Sequence, residues 1–212
     1  MPAAAAGRAG EWFLAGFHLA AVPVGRLDVE EIEAALVRAA KVLHQPVELR
    51  EALPVPRGTE DPERRQHRAA TLLERLLAEV RKLRPGRLVG GSAPAEPTPL
   101  RPDGFLFVTD VDLYTANTEG VFGALIVSQH CAVVSVRRLR EAFHRRRADP
   151  VRQRARLAKE VLRMVGRLAG LAECGEAACV LAPSKTIPDI DAKDERYCRV
   201  CEQKLFMGTM RL

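Results

Sequence analysis

The sequence predicts a mixed α/β fold, and three observations carry that prediction. Apolar runs of strand length alternate with longer stretches whose apolar residues recur at helical spacing. Capping residues, Asp28 with Glu31 and the Asp149-Pro150 pair, stand in front of two of those longer stretches. At 212 residues and 47% apolar content, the chain is large enough to bury a sizeable core.

Each element follows in order. Residues 1–10 are rich in Ala and Gly and are expected to be disordered. Residues 12–24 read as a strand rather than a signal peptide, because only Arg8 stands close before them. Ile32, Ala35, Leu36 and Ala39 predict a helix over 29–44, and residues 46–53 a short strand. Asp61-Pro62 reads as the start of a second helix, with Leu72, Leu73, Leu76, Leu77 and Val80 on its apolar face and its end near Leu83. Residues 85–103, with five prolines and three glycines, read as an exposed loop. Strands are expected at 105–108 and 132–136, with turns over 109–123. A long helix runs from Asp149-Pro150 to about Leu168, before Gly170. The tail from Leu171 has little periodicity.

The longest uncharged stretch, 120–136, has 17 residues and includes Gln129 and His130, too short and too polar for a membrane span. A cytoplasmic protein is expected, and the oligomeric state is not legible. The net charge of +6 is local: residues 137–167 hold eleven Arg and Lys159 against Glu141, Asp149 and Glu160. Such a stretch reads as a solvated helix face, or as a nucleic-acid-binding stripe acting through phosphate contacts. Phe143 is its only aromatic residue, so base stacking lacks partners there.

Four of the five cysteines fall in the last 39 residues: Cys174 and Cys179, then Cys198 and Cys201. Two close pairs across a polar loop suit one tetrahedral four-thiolate zinc. The alternative is two reduced or redox-active pairs. Cys131, in an apolar strand, reads as a core thiol. His18, His44, His67, His130 and His144 never fall at i, i+3 or i+4, and no spacing supports a triad around Ser135 or Ser184.

The segment from Arg163 to Cys201 resembles the archaemetzincins, a branch of the metzincin zinc proteases. Their pattern is H-E-x-x-H-x-x-G-x-x-H-C-x4-C-x-M, followed by C-x-x-C. Gly170, Cys174, Cys179, Cys198 and Cys201 stand in step with it. The blocks 109–114, 121–123, 132–135 and 138–140 resemble the strand, loop and strand before the family's active-site helix. The likeness extends over about residues 16–206, with 85–103 as an inserted loop. It implies a metzincin-like twisted mixed sheet with packed helices and a long active-site-type helix. It also implies a division at 170: a subdomain over 1–170, and a C-terminal subdomain over 171–212 held by one structural zinc on the four cysteines.

The departures fall on the catalytic positions. Arg163, Arg167 and Glu173 occupy the three histidine positions, Met164 the general-base position, and Leu181 that of the Met-turn methionine. A guanidinium offers donors but no lone pair, and a methionine cannot take a proton from water. A catalytic zinc and a catalytic residue set are therefore not expected. Glu173, returning after Gly170, is expected to bridge Arg163 and Arg167; otherwise both arginines face solvent. The expected function is a proteolytically inactive pseudoprotease that binds peptide or protein along an edge strand within 109–124. The competing readings are an active, aminopeptidase-like zinc metalloprotease using other ligands, and a nucleic-acid-binding protein.

Overall fold

A computed structural model describes residues 17–90 and 102–207. Expectations for residues 1–10 and for most of the 85–103 loop lie outside the described residues. The strands are β1 (Leu19–Val24), β2 (Val47–Leu49), β3 (Glu60–Asp61), β4 (Gln66–Arg68), β5 (Arg87–Val89), β6 (Gly104–Thr109), β7 (Leu113–Thr115), β8 (Thr118–Val121), β9 (Gly123–Ile126) and β10 (Cys131–Ser135). The helices are α1 (Val29–Leu43), α2 (Ala69–Val80), α3 (Pro150–Leu168), α4 (Ile187–Ala192) and α5 (Arg199–Met207).

A six-stranded sheet in the order β5-β2-β1-β6-β10-β9 forms the centre. Its four inner strands are parallel, and β5 and β9 close the two edges antiparallel. Strand alternation sorts its side chains onto two faces. Leu19, Ala21, Leu106, Val108, Ala132 and Val134 pack against α1 and α3. Val22, Val24, Phe107, Cys131 and Val133 pack against α2. The sheet is thus covered on both faces, as its long apolar strands require. A second sheet, β3-β4-β7-β8, stands beside it.

The caps of α1 and α3 are as the sequence predicts. Asp28 accepts hydrogen bonds from the amides of Glu30 and Glu31. Asp149 accepts from the Arg152 amide, with Pro150 at the first helical position.

Four local readings are corrected. Asp61 does not open a helix. Its carboxylate accepts from Glu63 and Arg64, and Arg65 then takes a left-handed φ of 54°. That reversal ends any helix and folds β3 onto β4, so α2 starts only at Ala69. Within the proline-rich segment, Arg87–Val89 is not loop but an edge strand on β2. Within the turn-rich 109–123 stretch, β7 and β8 pair as a hairpin. The tail beyond Leu171 contains α4 and α5, whose Ile187, Ile190, Cys201 and Leu205 share one core with α3.

Among the described residues no helix is long and apolar enough to cross a membrane.

Candidate functional site: a thiol cluster and the end of α3

The end of α3 builds the site. After Leu168 the helix closes with Gly170 N–H donating to Arg167 O and Leu171 N–H to Gly166 O. Gly170 takes a φ of 86°, where a side chain would be strained even though the space a Cβ would fill is open. The reversal carries Glu173 and Cys174 back beside the helix.

The four cysteines then converge. Their sulfurs all lie within 4.8 Å of one another. Zinc–sulfur bonds of about 2.3 Å place tetrahedral sulfurs about 3.8 Å apart, and Cys174 Sγ and Cys198 Sγ are 3.8 Å apart. Backbone amides support the thiolates: Glu176 N–H donates to Cys174 Sγ and Cys198 N–H to Cys179 Sγ. Donor type, number and spacing fit one structural zinc. Next to the cluster, the buried Tyr197 hydroxyl donates to Leu162 O at 2.6 Å, tying the tail to α3. Burial pushes its phenol well above the ordinary tyrosine range. Cys131 stands apart, fully buried, and burial pushes its thiol up to about 11.

On α3, the arginines do not share one carboxylate. Arg163, 8% exposed, donates from Nε to Glu160 Oε2 at 2.9 Å, and its Nη2 is 2.9 Å from the same oxygen. Glu173 Oε1 reaches Arg163 Nη1 only at 4.0 Å. Arg167 instead donates to Leu171 O at 2.7 Å and closes the helix end. The expected double bridge by Glu173 is corrected accordingly: Glu160, one turn earlier on the helix, is the buried counter-ion, because it lies on the inner side of Arg163 while Glu173 lies on the solvent side.

Glu160 belongs to a larger buried set that spacing alone did not indicate. Its Oε1 accepts from Ser184 Oγ at 2.6 Å. Lys193 Nζ lies 4.0 Å from that oxygen and donates to Ser184 Oγ and to the carbonyls of Val180 and Ala182. Burial pushes the Lys193 ammonium down to about 8, against the pull of Glu160. Ser184 bridges a cation and an anion here, which fixes its hydroxyl and joins the tail to α3.

Met164 is buried at 1% exposure. A side chain at Gly123 would come within 3.2 Å of its Cε and 2.6 Å of Val133 O, so this glycine lets α3 lie against the rim strand β9. Leu181 is fully buried, with Cδ2 over Gly166. Together Arg163, Met164, Arg167 and Glu173 present one carboxylate, two guanidiniums and a thioether. That set does not fit a zinc ion with three protein ligands and an open position.

Three cations of the basic stretch are buried, Arg156, Lys159 and Arg163. Arg156 is fully buried; its Nη2 is 2.7 Å from Asp191 and 2.8 Å from Glu141, and its Nη1 donates to Leu139 O. Lys159 donates to Ile190 O, and Arg138 pairs with Asp112. Arg137, Arg145, Arg146, Arg147, Arg152 and Arg154 remain exposed. The solvated face expected for this stretch therefore holds for the exposed arginines, while the buried cations pair with residues such as Asp191 that lie far away in the chain.

Residues 102–206 match the model of peptidase family M54. The archaemetzincin of Methanocaldococcus jannaschii is 37% identical over 100 residues, 47% of this chain and 56% of that protein. In its C-terminal half, the chain is similar to the archaemetzincins. The archaemetzincin of Saccharolobus solfataricus is 34% identical over 103 residues, 49% of this chain and 55% of that one. The chain spans about half the length of the curated relatives it matches. Among solved structures, a zinc-dependent peptidase from Methanocorpusculum labreanum superposes with a TM-score of 0.74 at 24% identity. That match covers 88% of this chain and 99% of the other. Archaemetzincin from Methanopyrus kandleri superposes with a TM-score of 0.67 at 24% identity, over 93% and 98% of the two chains. At that identity the two structures speak for the archaemetzincin fold.

Proposed function

We propose that this chain is a non-catalytic archaemetzincin that binds peptide or protein segments along its cleft and holds a single structural zinc. One observation carries the reading. The positions that match the family's three histidines and glutamate hold Arg163, Arg167, Glu173 and Met164, and two of these are committed to the protein interior. Arg163 is neutralised by Glu160, and Met164 fills a slot against β9. Neither is poised to bind metal or to move a proton.

The rim strand β9 is the edge on which a peptide would add by main-chain hydrogen bonds. It lies at the far end of the 109–124 stretch and beyond it. A reducing, cytoplasmic setting accords with a thiol cluster used for metal rather than for disulfides.

The test is elemental analysis together with a peptidase assay on the zinc-loaded chain. The expected result is one zinc per chain, no chelator-sensitive hydrolysis of a mixed peptide library, and retention of peptides on the immobilised protein. Two zincs per chain with chelator-sensitive cleavage would overturn the reading in favour of an active metalloprotease.

A further inference from the structure

A basic surface lies at the end of α3 opposite the cysteines. Arg137, Arg145, Arg146, Arg147, Arg152 and Arg154 are all exposed there. Residues 137–154 hold eight arginines against two acids, Glu141 and Asp149. Arg152 stands three helical turns before Arg163, which places this surface about 16 Å along α3 from the cleft.

The backbone that carries these arginines is fixed. The chain before α3 forms two short turns of 3-10 helix, Arg137–Leu139 and Glu141–His144. His144 Nε2 lies 2.9 Å from Arg138 O. Arg145 takes a left-handed φ of 57°, and the amides of Arg145 and Arg146 donate to Ala142 O and Glu141 O. Three consecutive arginines are thereby held at one exposed turn. Arg146 and Arg152 each lie 3.5 Å from the Glu141 carboxylate, so the first turn of α3 stands beside them.

The acids here are already engaged. Glu141 is 4% exposed, and its Oε1 is 2.8 Å from the buried Arg156. Asp149 caps α3 and lies 3.6 Å from Arg152. Arg137, Arg145 and Arg147 have no carboxylate within 4.0 Å among the described residues. Unpaired guanidiniums gathered on one surface repel one another, and a partner with closely spaced negative charges relieves that repulsion.

What accompanies the charge selects the partner. Phe143 is 41% exposed, but the Arg138 guanidinium lies over its ring at 5.1 Å and the His144 ring meets it edge-on at 5.2 Å. Base stacking therefore has no free ring in this stretch. Beside Phe143, the exposed large apolar residue here is Val151, which does not amount to an apolar face able to enter a bilayer. The surface offers guanidiniums, which suit phosphate oxygens.

We infer that this surface binds the phosphate backbone of double-stranded nucleic acid without reading its sequence. Arg137, Arg145 and Arg147 supply the uncompensated contacts, and each contact releases condensed counterions from the duplex. The surface is separate from the cleft, so the inference does not rest on peptide binding there.

The experiment is fluorescence anisotropy of the full, zinc-loaded chain with DNA and RNA duplexes of unrelated sequences and with a single-stranded oligonucleotide. Co-sedimentation with phosphatidylserine vesicles runs beside it. Micromolar binding to at least one duplex type is expected at about 50 mM salt, with log K falling by about 3 per tenfold rise in salt. The sequences of that duplex type should bind equally. Arg145→Gln with Arg147→Gln changes two exposed, unpaired side chains and should fold normally. It is expected to weaken binding tenfold or more and to lower the salt slope by about 2. Arg57→Gln with Arg84→Gln removes the same charge from exposed positions elsewhere and should leave the affinity nearly unchanged. No duplex binding, a salt-independent affinity, an unchanged slope in the first pair or an equal loss in the second would overturn the assignment. So would tighter binding of the single strand or of the vesicles than of either duplex.

Discussion

Glu173 and Cys174 are adjacent in the chain but belong to two opposite outcomes. Cys174 joins a cluster of four thiols brought to within 4.8 Å of each other. Glu173 joins a helix end where the charges are matched by the protein itself or left to solvent. Four thiols at tetrahedral spacing have weak mutual attraction, so their convergence makes sense only with a metal to bind them. Arg163 needs no metal, because Glu160, itself held by Ser184, neutralises it. The cysteines offer their ligands to a metal, whereas Arg163 has its counter-ion from the protein itself.

Four measurements test that contrast. The largest effect is expected at the cysteines. Removing zinc with a strong chelator, or Cys198→Ser, should unfold the tail from Leu171, because structural zinc contributes on the order of 10 kcal/mol of folding free energy. Loss of helical circular dichroism together with loss of the zinc equivalent checks it; a fully folded metal-free chain would refute the structural role.

Next in size is Glu160→Ala. It leaves the buried Arg163 unpaired and should cost about 3–5 kcal/mol in urea unfolding. The double variant Glu160→Met with Arg163→Met should recover most of that loss, since an apolar pair can replace a buried ion pair. Recovery separates the missing counter-ion from a simple loss of packing.

A third variant rebuilds the family pattern: Arg163→His, Met164→Glu, Arg167→His and Glu173→His. It should raise the zinc count from one to two per chain. A count that stays at one would mean that the backbone at the end of α3, and not only its side chains, has departed from a metal-binding geometry.

The smallest effect is expected for Glu173→Gln. Its side chain is 52% exposed and 4.0 Å from Arg163, so solvent screening leaves it worth well under about 1 kcal/mol. A larger loss would restore Glu173 as the true partner of Arg163.

Much of this was legible from residue order. Asp28, Asp149-Pro150 and Gly170 marked helix boundaries because capping and left-handed turns are local events. The spacing of Cys174, Cys179, Cys198 and Cys201 pointed to one metal, since each pair spans a single turn. Local rules failed at Asp61, where the capping chemistry was present but Arg65 reversed the chain. They missed β9 and the tail helices, whose short segments are stabilised by packing rather than by their own periodicity.

Residue order set the alternation of strands and helices, the thiol donor set, and the identities of Arg163, Met164, Arg167 and Glu173 at the end of α3. Which charges cancel depended on how the chain folds. Glu160 lies near Lys193 across 33 positions of sequence, and Arg156 pairs with Asp191. Pairing of buried charges depends on distance in space and on competition for a limited number of lone pairs, and neither is written in the order of residues along the chain.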